Sequence, residues 1–271
     1  MLSPAEFIGS YAGIGEKKAK SPVWKLLLLG ILAGFLIGMG GVASTVASHA
    51  LESASAVRLA SGLIFPFGLV MVILTGAELF TGNCLITISV LEKRVPLAGM
   101  VYNLVFVYIG NFIGSLLLAA ACAFSGQMNY NNSVLAVSVI KTGVAKCSLT
   151  FGRATVLGIL CNLLVCIGVM CALCGKDIIG RAVGAYLPVA FFVIAGFEHC
   201  IANMYYVPAA LFAKSVPAYA SLATEAGVDL GALSWSAFIG HNLIPVTIGN
   251  IIGGCAFAAL IWAGHRTKAS A

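Results

Sequence analysis

Apolar residues dominate this chain in six long runs, near Trp24 to Ala47, Ala56 to Leu91, Leu97 to Phe124, Thr150 to Leu173, Gly180 to Ala213 and Trp235 to Gly264. A helix of about 20 apolar residues crosses the ~30 Å hydrocarbon core of a bilayer. The pattern therefore predicts an all-α integral membrane protein with six transmembrane helices. The second and fifth runs are too long for one simple crossing, and both carry the same polar interruption. Gly76-Ala77-Glu78-Leu79-Phe80-Thr81-Gly82-Asn83 returns 120 residues later as Gly196-Phe197-Glu198-His199-Cys200-Ile201-Ala202-Asn203. A charge at membrane depth costs at least a few kcal/mol, so a repeated Glu there marks a functional site by default. The copies differ at one telling place: Leu79 in the first stands where the second has His199.

The other runs repeat as well. Leu29-Gly30-Ile31-Leu32 in the first matches Leu157-Gly158-Ile159-Leu160 in the fourth, and Ile109-Gly110-Asn111-Phe112-Ile113-Gly114 in the third matches Ile248-Gly249-Asn250-Ile251-Ile252-Gly253 in the sixth. Three matched spans in the same order make a duplicated three-helix unit whose second copy enters the membrane from the opposite side, an inverted repeat of the kind that forms solute sites near the midplane from broken helices. The chain is expected to be a single transmembrane domain over residues 1–271, with repeats at approximately 24–125 and 150–264. The breaks are expected at Thr81-Gly82-Asn83 and Ala202-Asn203, with Asn83 and Asn203 as N-caps of the second half-helices. In that arrangement Glu78 and Glu198 accept hydrogen bonds from loop N–H groups that lipid cannot satisfy, and the four residues form a loop scaffold.

Composition agrees with the pattern and adds orientation. The chain is 61% hydrophobic and 9% charged, with a mean hydropathy of +1.04 and a net charge of +6. Ten of fifteen basic residues, Lys17, Lys18, Lys20, Lys25, Lys93, Arg94, Lys176, Arg181, Arg266 and Lys268, share one side when both termini lie together. By the positive-inside rule that side is cytoplasmic. The basic charge thus reflects topology in a cell membrane and calls for no nucleic acid. The start, with Glu6 and Glu16 ahead of a Lys cluster, reads as a short cytoplasmic amphipathic segment rather than a signal peptide. The nine cysteines fall mostly in apolar spans, where thiols pack as small apolar groups; Cys171 and Cys174 form a CxxC with no second pair nearby.

Among ionisable residues His199 stands out, because it lies at an expected break and an unperturbed imidazole titrates near pH 6.5. Lys146 either snorkels to the interface or lures an anion toward the pore. Phe65, Leu69, Leu79 and Phe192 are either helix packing or a dry constriction. No GxSxG, P-loop, HExxH or strand-borne dinucleotide fingerprint occurs, so neither an enzyme, a metal site nor a cofactor is expected. The segment Lys214 to Ser234, the longest connection, is expected to form an external cap or loop.

The stretch Ile73-Leu74-Thr75-Gly76-Ala77-Glu78-Leu79-Phe80-Thr81-Gly82-Asn83, taken with Gly196 through Met204, resembles the formate/nitrite transporter family. The likeness extends over all six spans, including Asn162 and Asn250. It implies an aquaporin-like protomer, a homopentamer with one pore per protomer, and permeation of small monovalent anions of weak acids such as formate, nitrite or hydrosulfide. It further implies that His199 is a central histidine and Lys146 a vestibule lysine. By the same resemblance Thr81, Asn162 and Asn250 border the substrate pathway, and Phe65, Leu69, Leu79 and Phe192 form its constrictions. Formate is the expected substrate, its permeation coupled to a proton relayed through His199; nitrite or hydrosulfide are the alternatives. An aquaporin-like pore for neutral solutes is disfavoured because Asn83 is followed by Cys84 and Asn203 by Met204, without the NPA pair. A membrane redox or metal enzyme built on His199 and the cysteines is the alternative of a different class.

Overall fold

The computed structural model describes residues 1–266, and Lys268 lies outside the described residues. The chain opens with helix α1 (Pro4–Ala19), started by a capping box in which the Glu6 N–H donates to Ser3 Oγ at 3.3 Å and the Ser3 N–H to Glu6 Oε2 at 2.7 Å. These bonds hold the Glu6 carboxyl below the usual carboxylate range. Among the described residues six helices are long and apolar enough to cross a membrane: α2 (Val23–Ser48), α3 (Ala54–Thr75), α5 (Leu97–Phe124), α7 (Phe151–Cys174), α8 (Ile178–Ala195) and α11 (Trp235–His265). Two shorter helices complete the interrupted second and fifth spans, α4 (Phe80–Leu91) after α3 and α9 (Cys200–Lys214) after α8. Helix α6 (Val134–Cys147) leads into the second repeat, and α10 (Pro217–Glu225) forms the cap expected between Lys214 and Ser234. Lys214 Nζ fastens that cap by donating to the Leu230 and Leu233 carbonyls at 2.8 Å each.

The chain is an all-α multi-pass membrane protein with an aquaporin-like inverted repeat. The start of α1 and the end of α11 share one face with the α4–α5 and α7–α8 connections. There the Leu2 N–H donates to the Cys174 carbonyl at 3.1 Å, and Trp262 Nε1 to Glu92 Oε1 at 2.6 Å. Of the CxxC pair, Cys174 is buried beneath α1 while Cys171 is exposed.

The repeat is visible in packing. In a bilayer little hydrophobic force draws one apolar helix to another, so close approach depends on small residues. Helices α2 and α5 meet through Gly30, Gly34, Gly110 and Gly114, and α7 meets α11 through Gly158, Gly249 and Gly253. A methyl group on Gly34 would overlap the Asn111 carbonyl, and one on Gly253 the Ile159 carbonyl. Backbone cannot step aside as a flexible side chain can, so Gly34→Ala is expected to cost about 1–3 kcal/mol. Thermal unfolding followed by size-exclusion in detergent should show a clearly lowered midpoint; an unchanged midpoint would exclude this packing.

The breaks fall four residues before the expected places. Helix α3 ends at Gly76 (φ 69°) and α8 at Gly196 (φ 76°), left-handed positions that suit glycine and terminate a helix. The N-caps of the second half-helices are Leu79 and His199, while Asn83 and Asn203 lie inside the helices they were expected to cap. The physical reason is that the glycines end the first halves early, and the second halves are capped from elsewhere. Asn111 of α5 accepts the Phe80 N–H at 2.9 Å, and Asn250 of α11 accepts the Cys200 N–H at 2.9 Å.

Candidate permeation pathway

Each broken span is tied in place by the same two-part device. In the first repeat the Glu78 N–H donates to the Leu29 carbonyl, while Asn111 Nδ2 donates to the Glu78 and Gly30 carbonyls at 2.9 and 2.8 Å. In the second the Glu198 N–H donates to the Leu157 carbonyl, while Asn250 Nδ2 donates to the Glu198 and Gly158 carbonyls at 3.0 and 2.8 Å. The carboxylates are used differently from expectation, because they accept from side chains and not from loop N–H groups. Glu78 accepts from Lys18 Nζ at 2.8 Å and Asn83 Nδ2 at 2.6 Å; Glu198 accepts from Lys146 Nζ at 3.0 Å on both oxygens and from Asn203 Nδ2 at 2.7 Å. Asn83 and Asn203 are in turn held by Asn103 and Asn242, at 2.8 and 2.7 Å.

Lys18 is thus the counterpart of Lys146, each delivered from the last turn of the helix preceding its repeat. Sequence reasoning missed Lys18, Asn103 and Asn242, although a signal existed. Lys18 precedes Leu29-Gly30 by eleven residues, as Lys146 precedes Leu157-Gly158, and Asn103 precedes Asn111 by eight, as Asn242 precedes Asn250. The halves still differ in detail. Lys18 Nζ also reaches Asn83 Oδ1 at 2.9 Å, whereas Lys146 grips both Glu198 oxygens and Asn203 Oδ1 has no partner among the described residues. Asn242 sits in a π-helical turn over Phe238–Leu243, an irregularity frequent at functional sites.

The two breaks meet at His199. Its Nδ1 accepts the Ala202 N–H at 3.1 Å, capping α9, and its Nε2 lies 2.9 Å from Thr81 Oγ1 of α4. An N–H pointing at Nδ1 leaves the proton on Nε2, so the ring is the neutral Nε2–H tautomer donating to Thr81. The ring also stacks on Phe192, at 5.9 Å and 22°. Phe192 meets Phe65 edge to face, at 5.9 Å and 76°.

These aromatic groups separate two cavities. The larger, about 800 Å³, opens on the face away from the termini and is lined by Arg58, Lys141, Lys146, Arg153, Glu198 and hydroxyl-bearing residues of α2 and α6. The smaller, about 10 Å³, is lined by Ile37, Leu69, Leu79, Val165 and Val189. Room for one water takes about 10–15 Å³, so this apolar space holds about one water at most. Phe65, Phe192 and His199 line both cavities.

The structure therefore brings His199, Thr81, Phe65, Leu69, Leu79 and Phe192 together and places Lys146 in the vestibule wall beside Glu198. It does not bring Thr81, Asn250 or Asn162 to either cavity: Thr81 is buried behind the His199 ring, which it touches through Oγ1. Asn162 Nδ2 donates to the Thr81 and Asn250 carbonyls at 3.2 and 2.6 Å, and Asn250 is committed to the loop backbone, so both are part of the scaffold in this structure. Ile37, Val165 and Val189 escaped notice because nothing in their local sequence distinguishes a lining aliphatic from a packed one.

Comparison with known proteins follows the geometry closely. The family model described as Formate/nitrite transporter matches residues 5–264. "Formate channel FocA" of Haemophilus influenzae is 35% identical over 260 residues, covering 93% of this chain and 90% of that protein. The solved structure described as "Pentameric formate channel with formate bound" superposes with a TM-score of 0.80 at 34% identity, over 91% of this chain and 97% of that one. An "FNT family ion channel" superposes with a TM-score of 0.81 at 25% identity, over 97% and 99%. With nearly its whole length matched and both broken spans built alike, the chain belongs to the formate/nitrite transporter family.

Proposed function

We propose that this protein conducts formate through one pathway in each protomer of a homopentamer, in a cell membrane with both termini cytoplasmic and the large vestibule outside. The relatives named or described as formate channels, one of them pentameric with formate bound, support the substrate and the assembly. The excess of basic residues on the terminal face supports the orientation. The single observation that carries the mechanism is that His199 walls both cavities while hydrogen-bonded to Thr81.

The dry chamber sets the physical problem. A bare anion there loses its hydration, at a cost of tens of kcal/mol in the Born limit, whereas a neutral acid crosses far more cheaply. Lys146 and the inward-facing N-termini of α4 and α9 draw the anion to the aromatic pair. For a proton to reach it through His199, the ring gains one at Nδ1, which opens the Ala202 cap bond. The Nε2 proton then leaves Thr81 Oγ1 and passes to the carboxylate at the cavity wall that His199 forms. The neutral acid crosses and leaves the ring with its proton on Nδ1; uptake of a proton at Nε2 and release of the one at Nδ1 then restore the starting tautomer. Nitrite and hydrosulfide carry the same single charge and fit the same scheme.

Proteoliposome flux of formate, acetate, nitrite and hydrosulfide across a pH series tests the assignment. Formate should pass, with uptake increasing as the entry side is acidified. Absence of formate flux from folded, reconstituted protein would refute it.

A further inference from the structure

The vestibule is far larger and more cationic than formate requires. Four cations line it, from three of its walls: Arg58 on α3, Lys141 and Lys146 on α6, and Arg153 on α7. Its lining holds one carboxylate, Glu198, already engaged by Lys146. Arg58, Lys141 and Arg153 make no salt bridge among the described residues, which leaves three uncompensated positive charges facing one cavity. The lining histidine His49 lies between the Val46 carbonyl, 2.8 Å from Nδ1, and Asn131 Nδ2, 3.2 Å from Nε2.

Arg58 is seated with particular care. A methyl group on Gly196 would come within 2.6 to 2.9 Å of both terminal nitrogens and the central carbon of its guanidinium. The guanidinium therefore lies flat on the bare backbone at the end of α8, two residues from Glu198. No side-chain hydrogen bond occupies its donors among the described residues, so its fork is open to a carboxylate, which it can hold with two parallel bonds. A cavity of about 800 Å³ lies in the range that holds ligands much larger than formate.

From these features we infer that the vestibule is a binding site for small dicarboxylates, anions that span two of its cationic walls and are too large for the chamber beyond. Such an anion sits over the aromatic pair and obstructs entry from that face. Coulomb energy is linear in ligand charge, so removing one lining cation weakens a dianion by roughly the square of its effect on a monoanion. This scaling separates a site for dianions from a general attraction of anions.

The test uses malonate as the dianion and methanesulfonate as the monoanion, titrated calorimetrically into detergent-solubilised full-length protein at constant ionic strength. Arg153→Gln and Arg58→Gln should each weaken malonate about tenfold and methanesulfonate about threefold. In proteoliposomes malonate should raise the half-saturating formate concentration without changing maximal flux, and should not accumulate inside. Equal weakening of both anions, unchanged malonate affinity in both variants, or malonate entry into the vesicles would overturn the site. The inference rests on formate conduction only for the competition arm. If wild-type protein carried no formate yet bound malonate with the squared charge dependence, the site would stand and the conduction proposal would fall.

Discussion

His199→Phe is expected to abolish the acid-stimulated part of formate uptake, a loss of at least about 100-fold if general acid-base transfer is its contribution. The Phe variant alone is ambiguous, because it also removes the acceptor that caps α9 through Ala202. His199→Asn separates the two roles. Asn is a preferred N-cap and keeps an oxygen for the Ala202 N–H, but it neither titrates near neutral pH nor spans the 2.9 Å contact to Thr81 Oγ1. The Asn variant should fold and reconstitute normally while its formate flux becomes insensitive to pH. Thr81→Val, which leaves the imidazole in place but removes the hydroxyl that holds its Nε2 edge, should reduce the same pH-dependent component. Undiminished acid-stimulated uptake in His199→Asn would leave the histidine as a structural cap and end the relay.

Much of the architecture was legible because duplication writes it twice. The long second and fifth spans, the paired Glu-Asn motif and the small-residue stripes all recur at matching offsets, and the structure places each pair in equivalent positions. The exact break points were not legible. An Asn in apolar sequence suggests a cap, yet Gly76 and Gly196 end the first half-helices earlier and remote asparagines complete the second halves. Which polar residues face solute and which satisfy backbone depends on three-dimensional partners. Asn250 and His199 are both fully enclosed polar residues in apolar surroundings, and only the hydrogen-bond pattern and the cavity walls tell them apart. The vestibule cations were not legible as one cluster, since Arg58 and Arg153 are nearly a hundred residues apart.

The asparagine pair supports the largest expected effect on stability. Asn250→Leu removes the partner of the Cys200 N–H, at the first turn of α9, and of the Glu198 carbonyl, within the break. Neither group has water at hand if the break lies at the middle of the bilayer, and an orphaned buried backbone group costs about 1–3 kcal/mol, more in hydrocarbon. The expected loss is about 3–5 kcal/mol, comparable to the whole net stability of many domains. Asn111→Leu should cost a similar amount, because it orphans the Phe80 N–H and the Glu78 carbonyl in the mirror position. The likeness of the two is the diagnostic feature. A residue that contacts solute at one point of an asymmetric pathway has no reason to share its energetics with its repeat mate, whereas two halves of one scaffold do. Unfolding midpoints and the yield of monodisperse protein, compared with flux per folded molecule, distinguish the cases. Should Asn250→Leu fold as well as wild type and lose only conduction, Asn250 would belong to the pathway after all and its hydrogen bonds to the loop would be incidental.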